Sequence, residues 1–170
     1  MNQVKRMMVT ALLMACGVVL PMMLHSIPNA GRILLPMHIP VLLCGLYCGG
    51  LYGLICGVFT PLLSFMMTSM PGPGYLLPMM VELAVYGLVS GIMMDRVHSV
   101  KGTKKVLLCL VIAMLAGRIV YGLMNALVLR AGQYSIAMWV SASFVTAAPG
   151  IAAQLILIPL IMKLLKRNSE

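Results

Sequence analysis

Acidic residues are scarce in this sequence. Only three of its 170 residues are Asp or Glu, and all charged residues together make up 9%. Soluble domains use roughly 25% charged residues, so the composition excludes an ordinary soluble domain. The chain is 62% hydrophobic with a mean hydropathy of +1.05, which indicates an integral membrane protein. No polar segment is long enough to fold alone, and we expect residues 1–170 to form a single all-α membrane domain.

The motifs of common enzyme classes are also missing. The sequence contains no HExxH metalloprotease motif, no acidic pair for metal-assisted chemistry and no GxxxxGK phosphate loop. Its GLVSG segment, residues 87–91, is one residue too long for the GxSG turn of a rhomboid-like serine protease. We therefore expect no catalytic activity, no cofactor and no ATP site in this chain.

Positive charge collects at particular points along the chain. The formal net charge is +9, which in a soluble protein would suggest nucleic-acid binding. Here the basic residues flank apolar segments, as the positive-inside rule predicts for cytoplasmic helix ends, and we expect no nucleic-acid partner. They are Lys5 and Arg6 at the start, Arg96, Lys101, Lys104 and Lys105 in one hinge, and Lys163, Lys166 and Arg167 near the end.

Six transmembrane helices fit the apolar pattern. The apolar stretch 33–70 is too long for one helix and must fold back, and Gly49-Gly50 is its natural hinge. This gives a short, proline-interrupted second helix. The basic N-terminus and the basic hinge after the fourth helix should share a side, so an even number of crossings separates them. With six helices in total, both termini then lie in the cytoplasm. The predicted helices are 7–24, about 33–48, 51–68, 79–97, 106–129 and 148–165.

Three segments of different character are expected on the external side. Proline and glycine favour defined turns in HSIPNAGR (25–32), SMPGPGY (69–75) and RAGQYS (130–135). Residues 136–146 are apolar but short, so we expect a partial or re-entrant helix that leads into the last span.

The first predicted helix carries two features of interest. Its apolar run continues past Cys16 to about Leu24, so we expect an uncleaved helix rather than a secretory or lipoprotein signal. Ala11 and Ala15 form an AxxxA pair on this helix, which serves either internal packing or docking of another membrane subunit. In the second and third helices, glycines at every fourth position from 45 to 57 favour close helix packing.

Two opposite charges fall inside predicted membrane helices. Glu82 lies about one turn inside the fourth helix, and Arg118 lies near the middle of the fifth. An unpaired charge at such depth costs about 2.5–3.5 kcal/mol, so we expect the two to pair. Either they form a buried bridge that only fixes packing, or they line an outward-facing pocket, which is the interpretation we favour. The polar residues expected to share that pocket are Tyr86, Tyr121, Asn125 and Gln154.

Three further residues are candidates for the same pocket. His38, in PMHIP, either contacts a ligand from the start of the second helix or satisfies a helix interface. Trp139 either caps the pocket or lies in the interfacial aromatic belt. Tyr75 ends the external segment 69–75 and is included for its position.

Four stretches together resemble a known family. They are the AxxxA pair, LPMHIPVLLCGLYCGGLYGLICGVFTPLLSFMMTSMPG, PMMVELAVYGLVSG and PGIAAQLILIPLIMKLLK. The chain resembles, over nearly its whole length, the substrate-binding S component of an energy-coupling factor (ECF) transporter. The resemblance implies a six-helix plasma-membrane subunit that captures a vitamin-like molecule from outside. It also implies docking through the AxxxA face on a membrane coupling subunit driven by two ATPase subunits, which bind the ATP.

The resemblance also bears on the ligand. Nickel and cobalt members of the family bind metal through a free Met-His terminus, whereas Met37-His38 is internal here, so we expect no metal. Thiamine-binding members use several tryptophans, and the single Trp139 argues against that substrate. Arg118 and Asn125 suit a carboxylate or polar amide, which leaves pantothenate-like, nicotinate-like and pyridoxine- or pyrimidine-like molecules open.

A structural membrane protein of the cell-shape machinery is the alternative from another functional class. Such a protein has a similar length, a similar number of helices and basic inner ends, but it needs no ligand pocket.

Overall fold

A computed structural model describes residues 2–24, 30–129 and 134–167. Regular structure in these ranges is entirely helical. Two helices continue as π-helical turns, α6 through Asn125–Leu129 and α7 through Ser141–Val145. In chain order the helices are α1 (Gln3–Met23), α2 (Ala30–Leu34), α3 (His38–Cys48), α4 (Gly50–Thr68), α5 (Pro73–Arg96), α6 (Gly102–Met124), α7 (Ile136–Val140) and α8 (Ala148–Arg167).

Five helices in the described ranges, α1, α4, α5, α6 and α8, are long and apolar enough to cross a bilayer. This confirms the predicted all-α membrane protein. α3 has 11 residues and spans only about 16 Å at 1.5 Å per residue, roughly half the hydrocarbon core. The count of six crossings therefore stays a prediction that depends on α3.

The predicted second helix is broken near its start. Leu35 has a φ of 50°, and Pro36 follows it. A residue before proline is sterically kept out of the right-handed helical conformation, so the chain breaks here. This break is the proline interruption predicted for the second helix, and the continuous part of that helix begins at His38. Nine of the 11 residues of α3 are buried, which places this short helix at the centre of the bundle.

The basic helix ends meet at one end of the bundle. Gly49, with a φ of 102°, separates α3 from α4 and confirms the predicted hinge. Arg6 donates from Nη1 to the Cys48 carbonyl oxygen at 3.2 Å. Gly91, near the end of α5, lies against the backbone of Gly50. The start of α1, the α3–α4 hinge and the end of α5 are thus neighbours, as the charge pattern predicted.

Glycines bring α3, α4 and α5 into backbone contact. Gly53 of α4 lies directly against the carbonyl group of Gly87 on α5, and a Cβ at position 53 would lie 2.7 Å from the Cα of Gly45 on α3. Gly57 makes a similar approach to the α5 backbone. The packing role predicted for the four-residue glycine repeat is confirmed at these positions, whereas Gly49 serves the hinge.

α5 begins earlier than its sequence pattern suggested. It starts at Pro73, six residues before the predicted Met79, because proline is tolerated in the first helical turn. Glu82 therefore lies nine residues into the helix, about 14 Å from its start, instead of one turn. The partial helix predicted after residue 135 is present as α7 with its π-helical continuation. Residues 25–29 and 130–133 of the predicted external segments lie outside the described residues.

Candidate functional site

The two buried charges form an ion pair between α5 and α6. Arg118 Nη1 lies 3.0 Å from Glu82 Oε1, and the two residues are only 5% and 3% exposed. The helices approach closely because Gly117 has no side chain: a Cβ there would lie 3.2 Å from the Glu82 carbonyl oxygen. The predicted pairing is confirmed, and both side chains face protein instead of lipid.

Two aromatic side chains join the ion pair. The Tyr86 hydroxyl, one turn along α5, donates to Glu82 Oε1 at 3.1 Å. His38 Nε2 lies 3.9 Å from the same oxygen, which is longer than a hydrogen bond. The His38 and Tyr86 rings meet edge to face, with centroids 5.2 Å apart. Three helices, α3, α5 and α6, thus build one polar cluster, and we refer to Glu82, Arg118, Tyr86 and His38 as the Glu82 cluster.

Several polar atoms of this region are buried without a hydrogen-bond partner among the described residues. They include Nε and Nη2 of Arg118 and both ring nitrogens of His38. Both amide atoms of Gln154 on α8 are in the same state, and this residue is fully buried. A buried polar group without a partner costs about 1–3 kcal/mol, so groups supplied by water or a ligand would lower the free energy of this arrangement.

The other predicted pocket residues lie along α6 and α7. Asn125 is buried and donates from Nδ2 to the Tyr121 carbonyl oxygen at 2.8 Å. The Tyr121 side chain is half-buried and lies near both charges. Trp139 donates from Nε1 to the Arg118 carbonyl oxygen at 2.9 Å, and its indole lies on Gly122. Trp139 therefore ties α7 to α6 at the Arg118 backbone, and its role in capping a pocket stays a prediction.

The remaining predicted residues lie at the surface. Tyr75 lies in the first turn of α5 and is 38% exposed, and it neighbours Tyr121. Ala11 and Ala15 are exposed on α1.

Surface cavities lie on two sides of the described part of the bundle. One, of about 210 Å³, is lined by the apolar side chains of Leu54 and Val58 on α4 and of residues from Leu77 to Leu88 on α5. The other, of about 220 Å³, lies between α6 and α7 and is lined in part by Gly122 and Trp139. Neither cavity includes a residue of the Glu82 cluster. The four residues of the Glu82 cluster are each at most 5% exposed, so entry of a molecule requires neighbouring elements to move.

Residues 5–162 match the family model for the ECF transporter, substrate-specific component. This chain belongs to that family. No curated protein and no solved structure matches it. As an ECF S component, it is a multi-pass membrane subunit of a transporter. Proteins of this family bind the transported substrate and are not known as enzymes. Family membership also implies interaction with ECF coupling and ATPase subunits in the membrane.

Two buried hydroxyls of this S component were not among the predicted site residues. Ser64 on α4 and Ser143 in the π-helical turn after α7 are both buried, and neither Oγ has a partner within the described ranges. Serine in a membrane helix commonly bonds its own backbone, so the residue type alone gave little signal. Their burial without a partner emerges only from the packed structure.

Proposed function

We propose that this S component captures a small vitamin-like molecule from outside the cell in a site built on the Glu82 cluster. The observation that supports the proposal is the set of buried polar atoms without partners on Arg118, His38 and Gln154. A bridge that only fixed helix packing would gain from satisfying these donors and acceptors within the protein. A ligand that supplies the missing partners accounts for them.

The proposed site is closed by elements on its external side. Trp139 holds α7 against α6 beside Arg118, and Tyr75 lies exposed at the start of α5. These elements adjoin the predicted external segments 69–75 and 130–135. Opening of this side admits the molecule, and reclosure around it supplies the buried polar atoms with partners.

The orientation in the membrane follows from charge. The basic residues near α1, the α5–α6 hinge and the end of α8 face the cytoplasm in this proposal, so both termini are cytoplasmic. α3 then completes six crossings in spite of its length, because it lies inside the bundle where protein surrounds its ends.

Delivery of the molecule requires the other transporter subunits. In this proposal the exposed Ala11–Ala15 face of α1 docks on the coupling subunit, since two small side chains four residues apart let another helix approach closely. ATP is bound by the partner ATPase subunits, and this chain needs no cofactor or metal.

Mass spectrometry of the detergent-purified protein tests the capture of a ligand. We expect a small molecule released by denaturation in near one-to-one ratio with protein. A protein that is always empty, takes up no tested compound and binds cell-wall synthesis proteins would instead support the alternative of a cell-shape scaffold.

A further inference from the structure

The ion pair leaves the Glu82 cluster without net charge. Arg118 and Glu82 cancel, and the Tyr86 hydroxyl is neutral as a donor. His38 is buried and neither of its nitrogens has a hydrogen-bond partner in the described part of the chain, so we count the imidazole as neutral. Neither the Arg32 side chain nor Arg130 is among the described residues, and neither enters this count.

The unpaired edge of Arg118 has a defined shape. Nη1 is used by Glu82, whereas Nε and Nη2, the two nitrogens without partners, form the side edge of the guanidinium. Their hydrogens point the same way in one plane, about as far apart as the two acceptor atoms of a carboxylate. The same edge fits a carbonyl oxygen beside a ring nitrogen that carries no hydrogen, because both atoms then accept, as O6 and N7 of guanine do from arginine.

Charge balance distinguishes these two partners. A carboxylate on the side edge would place a second anion beside Glu82, and the cluster with its ligand would then hold a net negative charge in the membrane interior. Such a charge is costly unless another cation compensates it. A neutral heterocycle uses both donors of Arg118 without adding charge.

His38 adds further polar groups within the Glu82 cluster, and Gln154 adds others from α8, which contacts both α3 and α6. The buried Gln154 amide offers one acceptor and two donors, and the neutral His38 ring offers one of each. A molecule that satisfies them carries both donors and acceptors, as lactam and amino-substituted heterocycles do.

We propose that the substrate is an uncharged nitrogen heterocycle with a carbonyl oxygen beside a ring nitrogen that carries no hydrogen, bound through the side edge of Arg118. This inference rests on the proposed function, and it favours pyrimidine-like over carboxylate vitamins.

Capillary electrophoresis at pH 7 followed by mass spectrometry of the extracted ligand tests the net charge. We expect the ligand to migrate with the neutral marker, and its measured mass to correspond to a formula that contains nitrogen. If nothing is extracted, a thermal-shift comparison replaces the electrophoresis. It compares cytosine with orotate and pyrazinamide with pyrazinoate, and the neutral member of a pair should stabilise the protein more.

The outcomes separate the two proposals. A ligand with net charge, or stronger stabilisation by an acid of either pair, overturns the inference and leaves ligand capture standing. No extracted ligand together with no stabilisation by any of the four compounds overturns both.

Arg118→Lys provides a second test, because lysine keeps the charge opposite Glu82 but lacks the planar two-donor edge. We expect the purified variant to retain less than a tenth of the wild-type ligand, or to lose at least tenfold in affinity for the stabilising compound, with a melting temperature close to wild type. A folded variant that binds as well as wild type overturns the role of the side edge.

Discussion

The ring of Tyr86 lies directly on the Cα of Gly117, where α5 and α6 cross. The same tyrosine donates its hydroxyl to Glu82 at 3.1 Å. The absence of a side chain at position 117 therefore sets where the Tyr86 ring lies, and the ring in turn positions the carboxylate that pairs with Arg118.

Gly117→Ala should displace Tyr86 and weaken ligand binding. The added methyl group would overlap the ring, and the ring must move away from Glu82 to make room. We expect at least a several-fold loss of ligand retention, measured by mass spectrometry of the purified variant. Gly31→Ala is the control, because position 31 has open space around it. Equal retention by the two variants would show that the Tyr86 position is unimportant for binding.

Gly53→Ala should destabilise the bundle itself. A methyl group at this position would meet the Gly87 carbonyl group and the Gly45 backbone, neither of which can rotate away. Overpacking of this kind costs about 1–3 kcal/mol of unfolding free energy. A lower melting temperature in detergent, compared with Gly31→Ala, is the expected result. A melting temperature equal to that of the control would mean that α3, α4 and α5 adjust freely.

Arg118→Ala should affect both stability and binding. It leaves the buried Glu82 without its cation, and breaking such a pair typically costs about 3–5 kcal/mol. It also removes the proposed ligand contact, for which we expect a loss of about 2 kcal/mol or more in binding free energy. Thermal melting and ligand titration measure the two effects separately. Unchanged affinity in a folded variant would remove Arg118 from the site.

Ala11→Trp and Ala15→Trp should separate capture from transport. Both alanines are exposed on α1, and α1 contributes no residue to the Glu82 cluster, so ligand capture by the purified subunit should remain intact. Uptake by cells should be abolished, because a bulky side chain blocks close approach of the coupling subunit. Cys16→Trp is the matched control, since Cys16 is also exposed but lies further around α1. Wild-type uptake by both alanine variants would disprove the docking role.

Much of the architecture follows from simple physical rules applied to the sequence. The cost of an unpaired charge in lipid predicted the Glu82–Arg118 pair, and the two glycines at positions 49 and 50 predicted the hinge. The structure shows both. Both predictions depended on a strong local penalty that few arrangements can avoid.

The features that the sequence did not reveal depend on weaker or non-local effects. The early start of α5 is one such feature, because Pro73 begins that helix whereas Pro36 interrupts the predicted second helix. The bond from Trp139 to the Arg118 carbonyl oxygen joins residues 21 apart in sequence. No spacing rule predicts it, because it depends on where α7 docks.

The double variant Glu82→Gln/Arg118→Gln tests the central claim most directly. It removes both charges together, so neither is left unpaired, and it keeps polar side chains of similar size. Ligand content per mole of folded protein is the quantity to measure, beside the wild type purified in parallel. We predict a protein that melts higher than either single variant yet carries no ligand, because the pair serves binding. A double variant that retains the wild-type amount of ligand would contradict the account and leave the pair with a packing role only.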